Sequence, residues 1–339
     1  MARASDLPSA EQTTGKAAWG PHSELVVTCR GLRKVYRGVA AVESATFNVA
    51  RGEIFGLLGP NGAGKTTTVE CLQGLRRADG GEARVLGLDP QRRARDLRRR
   101  IGCQLQQSAL PDHIKVWEAL DLFASLTPGG RDWRAVMEEW GLGDKRNARF
   151  HSLSGGQKQR LFVALAVVNE PELVFLDEMT TGLDPAARRD AWDLIREMRE
   201  HGATVVLVTH FMEEAERLCD RVAIVDRGRV AATGSPQGLI AGYADGVRVA
   251  FTTDAPDVAW LAGVPHVGSV KRHALRVEIE GDGPVLAHVA AALLAHGIEP
   301  LDLHPETPSL EDVFLRITGH SLRDEPEPAQ RTGRLSSGE

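Results

Sequence analysis

Two stretches of this sequence carry residue types suited to holding phosphate and a hard cation. In Gly59-Pro60-Asn61-Gly62-Ala63-Gly64-Lys65-Thr66 the glycines, lysine and hydroxyl follow the spacing G-x-x-x-x-G-K-[ST]. Glycines let successive backbone N–H groups turn inward around phosphate oxygens. The helical pattern that follows adds the partial positive charge of its N-terminus. Lys65 brings a full charge toward the β- and γ-phosphates of a nucleotide, Thr66 a hydroxyl for Mg²⁺, and Thr67 continues the same turn. The alternative is a chance glycine-rich turn, but the apolar run 54–58 before the loop and the helical pattern after it supply the context that the motif requires. Such a loop by itself serves kinases, GTPases and motors alike.

Leu173-Val174-Phe175-Leu176-Asp177-Glu178 is an apolar strand pattern ending in two carboxylates. An acid emerging from a buried strand is poorly placed unless a cation or a proton meets it. Asp177 is the natural Mg²⁺ partner, through water, because Mg²⁺ retains much of its hydration shell. Glu178, next to it, is placed to orient or deprotonate an attacking water. The competing reading is a solvated pair at a strand end.

Leu153-Ser154-Gly155-Gly156-Gln157 separates the nucleotide-using classes. With this pentapeptide 23 residues ahead of Asp177, the sequence resembles the ATP-binding subunits of ATP-binding-cassette transporters. Ser154 and the two glycines offer a hydroxyl and N–H groups at a helix start, again anion-binding chemistry. The resemblance implies that this face binds the γ-phosphate held by a second subunit. A single cassette then has half of each site, and two pair head to tail around two ATP molecules.

Further residues follow from the resemblance alone. It assigns Tyr36 to stacking on adenine, and Gln106 to contacting Mg²⁺ or the water at the entry to a helical subdomain. Asp184 in Gly182-Leu183-Asp184 reaches across the dimer, and His210, ending the run 205–209, holds the γ-phosphate. An isolated strand-end histidine is more often a structural hydrogen-bonder. Two departures stand out: Met179 occupies the usual proline position after the catalytic carboxylate, and Gln104 and Gln107 flank Gln106, so the working glutamine depends on one residue of register. Neither removes a functional group, and an active ATPase is expected.

The elements that must position these groups are short apolar runs at 54–58, 173–176, 205–208 and 222–225, alternating with longer helical patterns. That alternation is the signature of an α/β domain with a mostly parallel sheet, and continuous apolarity suits strands buried on both faces. The segment 25–50 adds two β runs. The expected fold is an α/β P-loop NTPase core over residues 24–240. The resemblance adds an antiparallel β subdomain and a helical subdomain at about 107–155. Residues 241–320 read as a small α+β domain with strands near 247–251, 275–279 and 298–303 and a helix at 285–296. Residues 1–23 and 321–339 read as disordered tails. No internal repeat is present, so the chain holds one cassette.

Composition narrows the function further. The chain has 339 residues, 42% hydrophobic and 26% charged, with a net charge of −5. That balance argues against a general nucleic-acid binder, whose affinity rests on excess positive charge. The longest apolar run, 161–168, is far short of the ~18 residues of a membrane span. Residues 1–23 lack the apolar stretch of a signal peptide, so export of the chain itself is not expected. Cys29, Cys71, Cys103 and Cys219 form no CxxC pair and read as small buried residues in a reducing compartment.

Pro308-Ser309-Leu310-Glu311-Asp312-Val313-Phe314-Leu315 followed by Thr318-Gly319 resembles the tail of ABC-2-type exporters, including daunorubicin-resistance-like drug exporters. A plain amphipathic helix capped by Ser309, with Leu310, Val313 and Phe314 on one side, is the competing reading. The combined expectation is a Mg²⁺-ATP-hydrolysing subunit that pairs with a second copy or a homologous subunit and with a separate permease. It would sit at the cytoplasmic face of the membrane and contact no nucleic acid. The alternatives are an importer ATPase, disfavoured only by the C-terminal resemblance, and a soluble cassette ATPase acting on DNA or ribosomes, which would need a coiled-coil insertion or a second cassette. A small-molecule kinase leaves Leu153–Gln157 unexplained.

Overall fold

The apolar runs become strands whose order and register bring the motif loops to one edge. The computed structural model describes residues 24–104, 109–126, 131–243, 246–306 and 308–320. They fall into two compact units, one reaching to Ser235 and resuming at Ile317, the other Pro236–Arg316.

In the first unit β1 (Leu25–Tyr36) and β2 (Val39–Ala50) form an antiparallel hairpin. Arg37 and Gly38 turn it at positive φ, the geometry that suits the right-handed twist of the strands. Then come β3 (Ile54–Leu58), α1 (Lys65–Leu72), β4 (Gly80–Val85), α2 (Ala94–Arg98) and β5 (Ile101–Gln104). The helices α3 (Val116–Ser125) and α4 (Trp133–Glu139) lead to α5 (Gly155–Val167). The unit continues with β6 (Leu173–Asp177), α6 (Pro185–Glu200), β7 (Thr204–Thr209), α7 (Met212–Leu218), β8 (Arg221–Asp226) and β9 (Arg229–Gly234).

The strands of this unit order as β4-β1-β2-β9-β8-β3-β7-β6-β5. Strands β8, β3, β7, β6 and β5 are mutually parallel, with antiparallel pairs at the other end. Every residue of β3, β6 and β7 is buried, as their unbroken apolarity requires. Strands β4 and β9 lack that signal: Gly-Gly-Glu-Ala-Arg-Val and Arg-Val-Ala-Ala-Thr-Gly are held by pairing rather than by burial. Cys29, Cys71 and Cys219 are buried, but Cys103 is exposed because β5 is an edge strand.

Register does the positioning. Leu58 pairs with Thr209 across β3 and β7, and Asp177 with Val208 across β6 and β7. The three strands therefore end level, and Gly59, Glu178 and His210 leave the sheet side by side with β7 in the middle. In open α/β sheets ligands bind in the crevice outside these carboxyl ends.

The second unit contains α8 (Pro236–Tyr243), β10 (Val247–Thr252), β11 (Val267–His273), β12 (Arg276–Gly281), α9 (Val285–Ala295) and β13 (Leu301–Glu306). Its sheet is antiparallel in the order β11-β12-β10-β13. Val249, Phe251, Val277 and Ile279 line one face and pack with Val285, Val289 and Leu293, which recur every fourth residue along α9. Strand β11 was not expected, since Lys271, Arg272 and His273 mask its alternation. Beyond it, α10 (Leu310–Thr318) starts at a Ser309–Asp312 capping box and buries Leu310, Val313 and Phe314. Among the described residues, no helix is long and apolar enough to cross a membrane.

Candidate active site

The loop 59–64 joins β3 to α1 and is clasped from both sides. A Cβ on Gly59 would lie 2.1 Å from the Val225 carbonyl oxygen, and one on Gly64 2.2 Å from that of Ala41. Gly64, at φ 97°, also starts α1 in a left-handed conformation that other residues adopt only with strain. Neither position admits a side chain. Gly228 N–H donates to the Ala63 carbonyl at 3.0 Å, fixing the loop's far side. Lys65, 4% exposed, donates from Nζ to the Gly59 and Pro60 carbonyls at 2.8 Å each, so its ammonium lies inside the loop.

Asp177 and Glu178 meet this loop from β6. Thr66 Oγ1 donates to Asp177 Oδ1 at 3.4 Å. Burial pushes the Asp177 carboxyl up to about 6, opposed chiefly by the Thr66 hydroxyl. Glu178 leaves the strand at φ 50°, a left-handed conformation rare for a long side chain. Its N–H still donates to the Val208 carbonyl at 2.9 Å, continuing the ladder. The turn aims Oε1 to within 3.8 Å of Lys65 Nζ and 3.5 Å of His210 Nδ1. Met179 behind it is 5% exposed, a packed apolar residue.

The residues fit a magnesium nucleotide. Asp177 and Thr66 are a hard oxygen pair, and a carboxylate held near 6 by burial gains from a neighbouring cation. Among the described residues no group of three His, Cys, Asp or Glu is placed to hold a metal. A cation here would draw its remaining ligands from phosphate and water, which is the habit of Mg²⁺.

The other sequence candidates lie apart from this cluster in their contacts. Tyr36, at the end of β1, has Lys34 Nζ 5.2 Å and Arg76 Cζ 5.6 Å from its ring centroid. In the pentapeptide Leu153 is buried, while Ser154 and Gly155 are exposed. Ser154 caps α5 in a box: its hydroxyl accepts from Gln157 N–H at 3.3 Å, and Gln157 Oε1 accepts from Ser154 N–H at 3.0 Å. Open space surrounds the Cβ positions of Gly155 and Gly156. Asp184 caps α6, its Oδ1 accepting from Ala186 and Ala187 N–H at 2.9 Å each, with Pro185 in the first turn.

Gln106 lies outside the described residues, as does Gln107. Gln104 is buried and accepts at Oε1 from Gln159 Nε2 of α5 at 3.4 Å. Sequence reasoning passed over one group beside the cluster: Glu214, 1% exposed. The available signal was a carboxylate set among the buried Met212, Ala215 and Leu218 of α7.

A profile of the ABC transporter family matches residues 42–181. The chain is 40% identical over 314 residues to the "Nod factor export ATP-binding protein I" of Mesorhizobium japonicum, covering 89% of each chain. It is 37% identical to a daunorubicin resistance ATP-binding protein of Streptomyces coeruleorubidus, covering 89% of this chain and 98% of the relative. A solved structure described as the ATP binding subunit of an ABC transporter superposes with a TM-score of 0.58 at 28% identity, over 64% of this chain and 93% of that one. The nucleotide loop, the paired carboxylates and the sheet that levels them define a P-loop ATPase. This chain belongs to the ABC transporter family, as an ATP-binding subunit whose ATP hydrolysis is coupled to transport.

Proposed function

We propose that this chain drives export as the ATPase subunit of an ABC-2-type exporter of drugs, lipids or other hydrophobic or polymeric compounds. The observation that carries the hydrolytic part is Glu178 Oε1 lying between Lys65 Nζ and His210 Nδ1 at the buried sheet edge. Export is supported by relatives named for export and drug resistance, each matched over 89% of the chain.

In this reading the backbone of residues 59–64 binds the phosphates, Lys65 neutralises their charge, and Tyr36 stacks on adenine. Thr66 and Asp177 would hold Mg²⁺, and the resemblance adds Gln106 to that role. Bound Mg²⁺ supplies charge neutralisation on the phosphate oxygens. Glu178 holds the attacking water and accepts its proton, and His210 donates toward the γ-phosphate from the adjacent strand end. Leu153, Ser154, Gly155, Gly156 and Gln157 serve the nucleotide of a second subunit, a role that fits an exposed helix start with open space over both glycines. Asp184 approaches the same interface. The helices α3 and α4, within residues 107–155, are the surface for a separate membrane permease, which holds the subunit at the cytoplasmic face.

Phosphate release by the purified chain with Mg²⁺-ATP tests the hydrolytic reading. Co-expression with the product of the neighbouring reading frame, where that frame encodes a multi-span membrane protein without its own cassette, tests the coupling. Co-purification and raised ATPase rates are expected; a chain that hydrolyses ATP but neither binds that protein nor responds to it would belong to a soluble ATPase.

A further inference from the structure

Tyr36 ends β1 at a point where that strand has lost one of its two neighbours. The pairing of β1 with β4 stops at Arg33 opposite Gly80, so Lys34, Val35 and Tyr36 keep only β2 beside them. Even that pairing is irregular, with register shifts on both sides of Lys34. Backbone donors and acceptors left without a strand partner need another one to hold them in place.

Asp79, the residue before β4, takes over where the strand pairing stops. Its N–H donates to the Arg33 carbonyl at 2.8 Å, and its Oδ2 accepts from Val35 N–H at 2.7 Å. The side chain thus supplies an acceptor of the kind that a continued antiparallel strand would offer. Its Oδ1 accepts from Lys34 Nζ at 3.2 Å. The Val35 N–H, and after it the Lys34 ammonium, hold the Asp79 carboxyl below its ordinary value.

The loop 73–79 that carries Asp79 also carries Arg76. The Arg76 guanidinium lies 5.6 Å from the centre of the Tyr36 ring and pairs with Glu70 of α1. Lys34 Nζ, held by Asp79, lies 5.2 Å from the same centre. The backbone beneath the ring and both cations beside it are tied to this one loop.

We propose that Asp79 is a positioning residue for the adenine base: by completing the ladder at Val35 it fixes the end of β1, and with it the ring of Tyr36. The inference rests on the stacking role proposed for Tyr36. A residue that acts in this way governs affinity for the base and leaves affinity for the phosphates alone.

The test is calorimetric titration of the full chain, in Mg²⁺, with ATP and with inorganic tripolyphosphate. The worth of one base–aromatic stack sets the ceiling, so Tyr36→Ala should weaken ATP binding by about 5- to 150-fold. Asp79→Ala should weaken it by about 3- to 12-fold, the range of a single hydrogen bond, and leave tripolyphosphate within about 1.5-fold. The Asp79 side chain is 40% exposed, and retained tripolyphosphate binding reports that the variant folds. Asp79→Asn keeps a carbonyl oxygen for Val35 N–H and should restore ATP binding to within about 1.5-fold of the parent chain. On a Tyr36→Ala background Asp79→Ala should cost less than about 1.5-fold, because the ring it positions is gone. Parental ATP affinity in Asp79→Ala, equal losses for ATP and tripolyphosphate, no recovery in Asp79→Asn, or a loss that persists in full without the ring would each overturn the proposal. Parental ATP affinity in Tyr36→Ala would overturn the adenine reading itself, and the role of Asp79 with it.

Discussion

Lys65 and Glu178 form a buried ion pair, Nζ to Oε1 3.8 Å, with side-chain exposures of 4% and 6%. The same ammonium donates to two carbonyls of its own loop. Cation and carboxylate are therefore held at one point before any substrate charge is considered, and preorganised charge of this kind costs no reorganisation during reaction.

Lys65→Ala removes that cation. Charge-assisted contacts are worth about 1.5–3 kcal/mol each, or roughly 10- to 150-fold in affinity. A mant-ATP titration should show a loss of that size, and turnover should vanish. Unchanged affinity and turnover would take Lys65 out of the mechanism.

Glu178→Gln keeps the shape of the side chain and its capacity for hydrogen bonds but removes its basicity. General-base catalysis contributes about 10²–10⁴-fold, and phosphate release should fall by that factor while ATP still binds. If ATP bridges two subunits, the uncleaved complex should accumulate as a dimer on size exclusion in Mg²⁺-ATP. Parental hydrolysis would shift water activation to another group, with His210 the first candidate.

Ser154 has two separable jobs. As the cap of α5 its loss in Ser154→Ala should cost about 1 kcal/mol of stability, read as a lowered melting temperature. Ser154→Arg should leave mant-ATP binding intact, because the side chain is exposed, yet stop hydrolysis by filling the partner's phosphate position with a bulky cation. Full activity of Ser154→Arg would remove the shared-site arrangement.

Asp177 makes stability depend on pH in a defined direction. Its carboxyl is raised from 3.8 to about 6 in the fold, chiefly by burial. Its contribution to stability is full below the unfolded value and is lost as the pH rises through about 6. Asp177→Asn removes the buried charge, so in EDTA without nucleotide the variant should be more stable at pH 7.5 by on the order of 2 kcal/mol. The gap should narrow toward pH 5. With Mg²⁺-ATP the order should reverse, since the substitution removes a cation partner. A gap independent of pH in EDTA would show that Asp177 is not the group that titrates.

The groups proposed to handle phosphate were legible in the sequence because each sits in a contiguous motif. Gly59 to Thr66, Leu153 to Gln157 and Asp177-Glu178 each combine local backbone geometry with the residue types that chemistry demands, and the unbroken apolar runs before them marked the buried strands. Capping at Ser309 and the buried stripe of α10 were equally local. Tertiary structure decided what depends on register between distant strands. The level ends of β3, β6 and β7 bring Lys65, Glu178 and His210 together, and no short window contains that alignment. The left-handed backbone at Glu178 is imposed by its surroundings, since glutamate has no preference for it. Glu214 appeared in sequence as one acid among several on a short helix. Only tertiary packing, with the Trp192 indole donating to it, turned it into a buried acceptor, because burial is a property of the neighbours a residue acquires and not of its own type.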